Sequence, residues 1–484
     1  MHGGILLNIG MHVAEKYKVR RKVWALEEKY MDFTLKRMFI FNELVKRYWK
    51  GTLNTASDLE ELAVFIKDKY GFREDEMPFI KNHIRIAMGM EPRGQDGFSD
   101  ELEWVKKSGR VDLPVIARVD GPCEYCDREE CVCPKYETGM YRRTREAIIE
   151  NNKCLNCGEC VTACDFGALA DKIEFLPVVN LLKEAKVPVY AAAAPAIAGQ
   201  FGESVSMGQL RTAFKVMGFA DMVEVAMFAD ILTIKEAIEF DKLVKTEEDF
   251  FLTSCCCPVW FNMVKKNYPD MYKYMSPSVS PMIACGRILK KLYPEAKVVF
   301  IAPCIAKKAE FKEPELAGAI DYVINFRELK EIFDALEIRL EELPSDETDH
   351  ASLGGRLYAR TGGVSFSVKT VVNRLKAERV IKLKAKKVDG AKKCKEILDR
   401  LSKGEKVDAN FIEGMGCTGG CVGGPRTNID REKAKYFVND FAEESYILTP
   451  FDNQNIIKIL SQLNVESLDK MMDNAEVAEL LTRE

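Results

Sequence analysis

Ser254-Cys255-Cys256-Cys257-Pro258-Val259-Trp260 sets three consecutive thiols between an apolar run and a proline. The residues ahead of it, Phe250-Phe251-Leu252-Thr253, read as the end of a buried strand. Pro258 suits the first position of a helix, where its missing N–H has no intrahelical partner to lose. The thiols are therefore expected at a strand-to-helix junction, where α/β sheets commonly place ligands. A buried cysteine packs like a small hydrophobe, which explains one thiol here but not three. Metal ligation accounts for the set.

Composition bounds the function. At 484 residues the chain exceeds one typical core, and about two to four domains are expected. Charge is nearly balanced, 71 basic against 75 acidic residues for a net of -4, so no electrostatic argument favours nucleic acid. The longest small-apolar stretch, Val187 to Ala198, is shorter than the roughly 20 residues a membrane helix needs and contains Pro188 and Pro195. Met1 to Gly10 lacks a basic region followed by a sustained apolar core, so no secretory signal is expected. A soluble cytoplasmic protein, with neither membrane nor nucleic-acid partner, is the expectation. The chain has 16 cysteines but only 4 histidines (His2, His12, His83, His350), none close to a cysteine cluster. Reducing cytosol disfavours disulfides, so clustered cysteines point to all-cysteine zinc or iron–sulfur sites.

Residues 1–115 read as a helical region without recognisable chemistry, with helices over Lys36 to Tyr48 and Ala56 to Tyr70 and helical spacing of Leu35, Met38, Phe39 and Leu44. Residues 116–185 carry two cysteine groups, Cys123-x2-Cys126-x4-Cys131-x-Cys133 and Cys154-x2-Cys157-x2-Cys160-x3-Cys164. The second resembles the bacterial ferredoxin run, with Asp165 in place of the usual proline. Two accessory 4Fe–4S clusters are expected. If the fourth cysteine of each run serves the other cluster, Cys154, Cys157, Cys160 and Cys133 hold one, and Cys123, Cys126, Cys131 and Cys164 the other. The first run could instead supply four ligands alone, or bind zinc.

From Val187 a strand–loop–helix pattern repeats, as far as residue 450. Val187 to Ala192 leads to Ala194-Pro195 and a helix from Ser206 to Met217; Met222 to Ala226 is a further strand. Lys297 to Ile301 leads to Pro303-Cys304, and Asn410 to Ile412 to the glycine-rich run Gly414 to Pro425. Such loops at the carboxyl ends of parallel strands face a common crevice. Residues 451–484 read as a helical tail.

Cys257, Cys304, Cys417 and Cys421 come from three separated loops, and four thiolates suffice for a 4Fe–4S cluster. Ser-Cys-Cys-Cys-Pro-Val-Trp, Pro303-Cys304-Ile305-Ala306-Lys307-Lys308-Ala309-Glu310 and Glu413-Gly414-Met415-Gly416-Cys417-Thr418-Gly419-Gly420-Cys421 resemble the three signatures of iron-only (FeFe) hydrogenases, in order, over about residues 120 to 430. The triple cysteine resembles a less-studied subgroup. The resemblance implies an α/β fold: a two-lobed parallel-sheet H-cluster domain (186–450) preceded by a ferredoxin-like two-cluster domain and the helical N-terminal region.

It also implies an H-cluster, a 4Fe–4S cubane joined through a cysteine sulfur to a diiron unit bearing CO, cyanide and an azadithiolate. By position Cys257, Cys304, Cys417 and Cys421 would ligate the cubane, with Cys421 bridging to the diiron unit. Lys307 would donate to one cyanide, Ala194 and Pro195 would face the other, and Met415 would line the pocket. Cys256 would carry protons, since a thiol's ordinary acidity suits exchange near neutrality and serine's does not. Alignment places Glu236, Ser280 and Glu239 in a relay beyond it; the two carboxylates, three apart, share a helix face. Three departures stand out: Ala302 where methionine is usual, Pro425-Arg426 where Gln-Pro is usual, altering a pocket wall, and the extra thiol Cys255. Cys285 and Cys394 are isolated and read as structural.

The expected activity is interconversion of dihydrogen with protons and electrons, in an anaerobic setting. Electrons would pass through accessory clusters to a ferredoxin-type carrier, and hydrogenase maturation proteins would insert the diiron unit. The alternatives are a hydrogenase-like iron–sulfur assembly or scaffold protein lacking the diiron unit, and a hydrogen sensor.

Overall fold

A computed structural model describes residues 33–94, 96–107, 110–111, 113–119, 154–164, 167–253 and 256–483. The expected ligands Cys123, Cys126, Cys131 and Cys133, and the extra thiol Cys255, lie outside the described residues.

The first helices are α1 (Phe33–Trp49), α2 (Ala56–Tyr70) and α3 (Met77–Ala87). α2 starts on a capping box, in which Thr55 and Asp58 each bond the other's backbone N–H, and stops at Gly71, whose φ of 67° a side chain would resist. Leu44, Leu62, Ile66, Ile80 and Ile84 close the space between them. Next, β1 (Ile116–Arg118) pairs antiparallel with β2 (Leu169–Asp171), and these strands bracket the Cys154–Cys164 run in sequence.

Two parallel sheets follow. β3 (Val189–Ala193), β4 (Asp221–Glu224), β6 (Lys297–Ala302) and β7 (Tyr322–Asn325) lie in the order β4-β3-β6-β7. β5 (Phe251–Leu252), β8 (Ala385–Asp389) and β9 (Phe411–Met415) lie in the order β5-β9-β8. Every pair in both sheets is parallel, giving the two-lobed α/β architecture expected. In the first sheet the order reverses between β3 and β6, and such a switch point opens a crevice beyond the strand carboxyl ends. Ala194-Pro195 and Pro303-Cys304 emerge there. In the second, β5 and β9 deliver Cys256-Cys257 and Gly416-Cys417 from the same ends. Four helices matter below: α4 (Ala226–Leu243), α5 (Pro258–Asn267), α6 (Pro281–Leu292) and α7 (Ala475–Leu481).

The sequence reading names none of β1, β2, β7 and β8. β8 carries Lys386 and Lys387 on an edge with three exposed positions, so it lacks the apolar signal of a buried strand. β7 is buried throughout, but its four residues are too short for periodicity to register. No helix among the described residues is long and apolar enough to cross a membrane.

One buried carboxylate ties these parts together. Asp171, at the end of β2, accepts from Arg37 of α1 at 2.9 Å, Lys308 at 3.1 Å, Asn325 at 3.0 Å and Arg426 at 3.1 Å. Burial alone would raise its pKa, but Arg426, Lys308 and Arg37 together hold it well below the ordinary carboxylate value. Its pairing thus contributes stability above the unfolded carboxyl pKa, lost as pH falls through the lower folded value. Asp171→Ala would leave buried cations unpaired and is expected to cost about 3–5 kcal/mol. A urea titration at pH 7 would show a lower midpoint at unchanged slope.

Candidate metal centre

Between the two sheets the loop ends enclose one cavity, lined by Cys256, Cys257, Cys304, Cys417 and Cys421 together with Ala194, Pro195, Lys307 and Met415. The remaining wall is apolar, with Phe300, Met282 and Val259 prominent. The four thiols expected to hold a cubane therefore share one space although they lie up to 164 positions apart in the chain. Among the described residues no three His, Cys, Asp or Glu side chains close around a single ion. Four thiols from three loops around one cavity are a donor set that a 4Fe–4S cluster uses.

Glycine makes the approach possible. A Cβ at Gly416 would meet Val259 at 2.6 Å, and one at Gly414 would meet Trp260 at 2.1 Å. The helix after Cys257 therefore packs directly on the β9 backbone, and the Gly416 N–H donates to Cys257 Sγ at 3.2 Å. Trp260 is fixed in turn by its indole N–H, donated to the Thr253 carbonyl at 2.5 Å.

Burial governs the thiols. It pushes Cys257 up to about 12 with help from Cys256, and pushes Cys304 up against the pull of Lys307. Cys417 and Cys421 are raised well above the ordinary value by burial and then by neighbouring thiols, an effect that requires proximity. Lys307 is buried, which disfavours its charge, but Glu310 at 2.6 Å more than offsets this and keeps the ammonium. The donor set fits an iron–sulfur group: soft thiols for iron, a fixed cation for an anionic ligand, and apolar walls that exclude water.

Beside this cavity lies the ferredoxin-type run. Asn156 and Gly158 take positive φ (54° and 80°), turning the chain tightly between cysteines. Cys157 packs in the same apolar cluster as Cys257 and Cys304, and a Cβ on Gly158 would strike Ile305 at 2.5 Å. The Cys154–Cys164 loop thus abuts the Cys304 loop directly.

The structure brings a further hydroxyl to the expected relay residues. Glu236 is buried on α4, and Glu239 lies one turn further toward solvent. The hydroxyl on Glu239, however, belongs to Ser276, which donates to Oε2 at 2.7 Å. Ser280 instead caps α6, accepting from the Ile283 N–H at 3.5 Å. Both serines precede α6, and only the loop's path decides which meets the carboxylate. Lys235, absent from the sequence reading, bonds Glu239 Oε1 and donates to Ser278 Oγ at 2.8 Å.

The departures resolve likewise. Ala302 lines the cavity. Gly424 lines it too, but Arg426 does not alter its wall: the guanidinium is committed to Asp171. Cys285 and Cys394 are buried, and Cys394 donates to the Met415 carbonyl at 3.3 Å. Tyr358, also missed in the sequence, joins the wall with its hydroxyl 2.7 Å from Thr233.

Residues 187–425 match the family described as iron only hydrogenase large subunit, C-terminal domain. Over that span the chain belongs to the iron-only hydrogenase family. A NADP-reducing hydrogenase subunit from Solidesulfovibrio fructosivorans is 29% identical over 379 residues, covering 65% of this chain and 64% of that protein. Iron hydrogenase 1 from Clostridium pasteurianum is 28% identical, covering 58% and 65%. The chain thus spans just under two thirds of the length of these relatives. A cytosolic Fe-S cluster assembly factor from Yarrowia lipolytica is 25% identical, covering 43% and 48%. An apo FeFe-hydrogenase structure from Chlamydomonas reinhardtii shares the fold at 21% identity and a TM-score of 0.52, covering 63% of this chain and 98% of that one. This hydrogenase-family membership implies iron–sulfur clusters and an H-cluster.

In metal-free protein at pH 8, Cys257 should react with iodoacetamide on the order of a thousandfold more slowly than a free thiol, because so little of it is thiolate. Mass-spectrometric site occupancy over time would check this.

Proposed function

We propose that this protein is an FeFe hydrogenase, interconverting dihydrogen with protons and electrons. The observation that carries the reading is the convergence of Cys257, Cys304, Cys417 and Cys421 on one apolar cavity that also holds Lys307 and Cys256. In this reading those four thiols would hold an H-cluster, Cys421 being the ligand nearest its diiron part by resemblance. When bound, that group supplies heterolytic cleavage of dihydrogen and the exchange of electrons.

The chain's own residues bind, orient and move protons. Lys307 presents an ammonium to an anionic ligand, while Ala194, Pro195 and Met415 line the same cavity. Cys256, whose sulfur lies 3.9 Å from Met415 Sδ, exchanges protons at the wall. α4 leads outward from there: Ala229 lines the cavity, and Glu236 and Glu239 follow at offsets of seven and ten, which keep one helix face. Glu236 is the inner proton carrier, Ser276 the hydroxyl, and Glu239, 15% exposed in its side chain, the outer one. Cys154, Cys157, Cys160 and Cys164 would be among the ligands of two accessory 4Fe–4S clusters, whose chemistry there would be electron transfer to a ferredoxin-type carrier. The setting is cytoplasmic, and maturation proteins supply the diiron unit.

The second reading is an iron–sulfur assembly protein, favoured by the match to the Yarrowia factor. A scaffold has no use for a cyanide donor or a proton carrier at the cavity wall, yet Lys307 and Cys256 stand there. After co-expression with hydrogenase maturation proteins, infrared bands of CO and cyanide and dye-coupled hydrogen turnover are expected. A protein that carries its cubane but shows neither is a scaffold; bands with only slow turnover would indicate a sensor.

Exchanging the serines separates relay from cap. Ser276→Ala should lower turnover by roughly 10²–10⁴, the usual worth of a positioned proton-transfer group. Ser280→Ala should leave turnover within a few-fold and cost ~1 kcal/mol of stability as a lost helix cap. Steady-state rates and thermal melts of both variants provide the comparison.

A further inference from the structure

The segment after residue 474 touches the site at two places. α7 ends at Leu481, and the chain then runs alongside the loop before α6: Ser278 and Thr482 pair antiparallel. The Val279 N–H donates to the Leu481 carbonyl at 3.0 Å, and the Arg483 N–H to the Pro277 carbonyl at 2.7 Å. Arg287 of α6 secures the end of α7 by donating to the carbonyls of Glu479, Leu480 and Thr482 at 3.0, 3.3 and 2.9 Å. That loop carries Ser276 and Ser278, which hold Glu239 and Lys235.

The second contact is Arg483. Its guanidinium is buried, lies 3.9 Å from the Phe261 ring centroid, and donates to Glu310 Oε1 at 2.8 Å and Glu313 Oε2 at 2.9 Å. Glu310 is fully buried and its other oxygen accepts from Lys307. One carboxylate therefore serves two cations. Arg483 brings Glu313 as its own counter-charge, so what sharing adds is a second donor that fixes the orientation of the Glu310 carboxylate from the far side.

We propose that Arg483 is a positioning residue of the metal centre. By sharing Glu310 it fixes that carboxylate and thereby holds the Lys307 ammonium at the cavity wall, where it meets an anionic ligand. The 475–483 segment is the clamp that delivers Arg483 and steadies the Ser276 loop. This rests on the H-cluster reading above, in which the anionic ligand is a cyanide of the diiron unit.

The test uses the full chain with its cubanes reconstituted, incubated with a synthetic diiron dithiolate bearing CO and cyanide. Uptake rate and cyanide stretching frequencies are read by infrared spectroscopy. In Arg483→Gln one of the two cyanide bands should move while the other stays, and uptake should slow about tenfold, as loss of one buried charge-assisted bond implies. Arg483→Lys keeps a charge near Glu310 but not the two-armed contact, and should give a smaller displacement of the same band. If the glutamine variant does not fold, the lysine variant decides alone: a displaced cyanide band supports the proposal and an unmoved one overturns it. A folded glutamine variant with bands and uptake equal to those of the unsubstituted protein also overturns it. If the unsubstituted protein takes up no diiron complex although its cubanes are intact, the H-cluster reading falls, and this inference with it.

Discussion

Parallel strands whose carboxyl ends face one another impose the constraint on which this structure depends. A cysteine cluster built from distant chain positions needs rigid elements that end close together, and loops alone would not hold thiols to the required tolerance. Here the switch between β3 and β6 opens the crevice from one side, and β5 and β9 supply thiols from the other. Close approach is then set by glycine: any side chain at Gly414 or Gly416 would push α5 off β9 and carry Cys257 away.

Electrostatics in the site is arranged by burial and sharing. Buried thiols resist ionisation until a metal replaces their protons, so in the metal-free site the raised thiols are neutral and Lys307 is the charged group among them. Cations around it are each bound to carboxylates: Lys307 to Glu310, Lys308 and Arg426 to Asp171. Asp171 links α1, the strand following the ferredoxin-type run, and the loops carrying Cys304 and Cys421. One carboxylate therefore registers the strand after the ferredoxin-type cysteine run against the Cys304 and Cys421 loops.

Much of the site was legible in the chain because its chemistry is local. Cys-rich and glycine-rich signatures occupy consecutive residues, so Cys257, Cys304, Lys307, Cys417 and Cys421 could be named from spacing and resemblance. Strands with uninterrupted apolar runs, such as Lys297 to Ile301, were equally plain. Lysine-bearing β8 was not, since an edge strand has no need of a buried face.

Residue type and local order by themselves determined the α/β class, the sets of thiols and the absence of a charge signal for nucleic acid. Only the tertiary structure decided which hydroxyl meets Glu239, where Arg426 points, and that Arg483 reaches Glu310 across 173 positions. The physical reason is reach: a hydrogen bond demands about 3 Å between atoms, whereas sequence separation says nothing of the path a loop takes between rigid elements. Ser276 and Ser280 have the same chemistry and lie in the same loop region. Packing of α6 and the 475–483 segment gave them different partners.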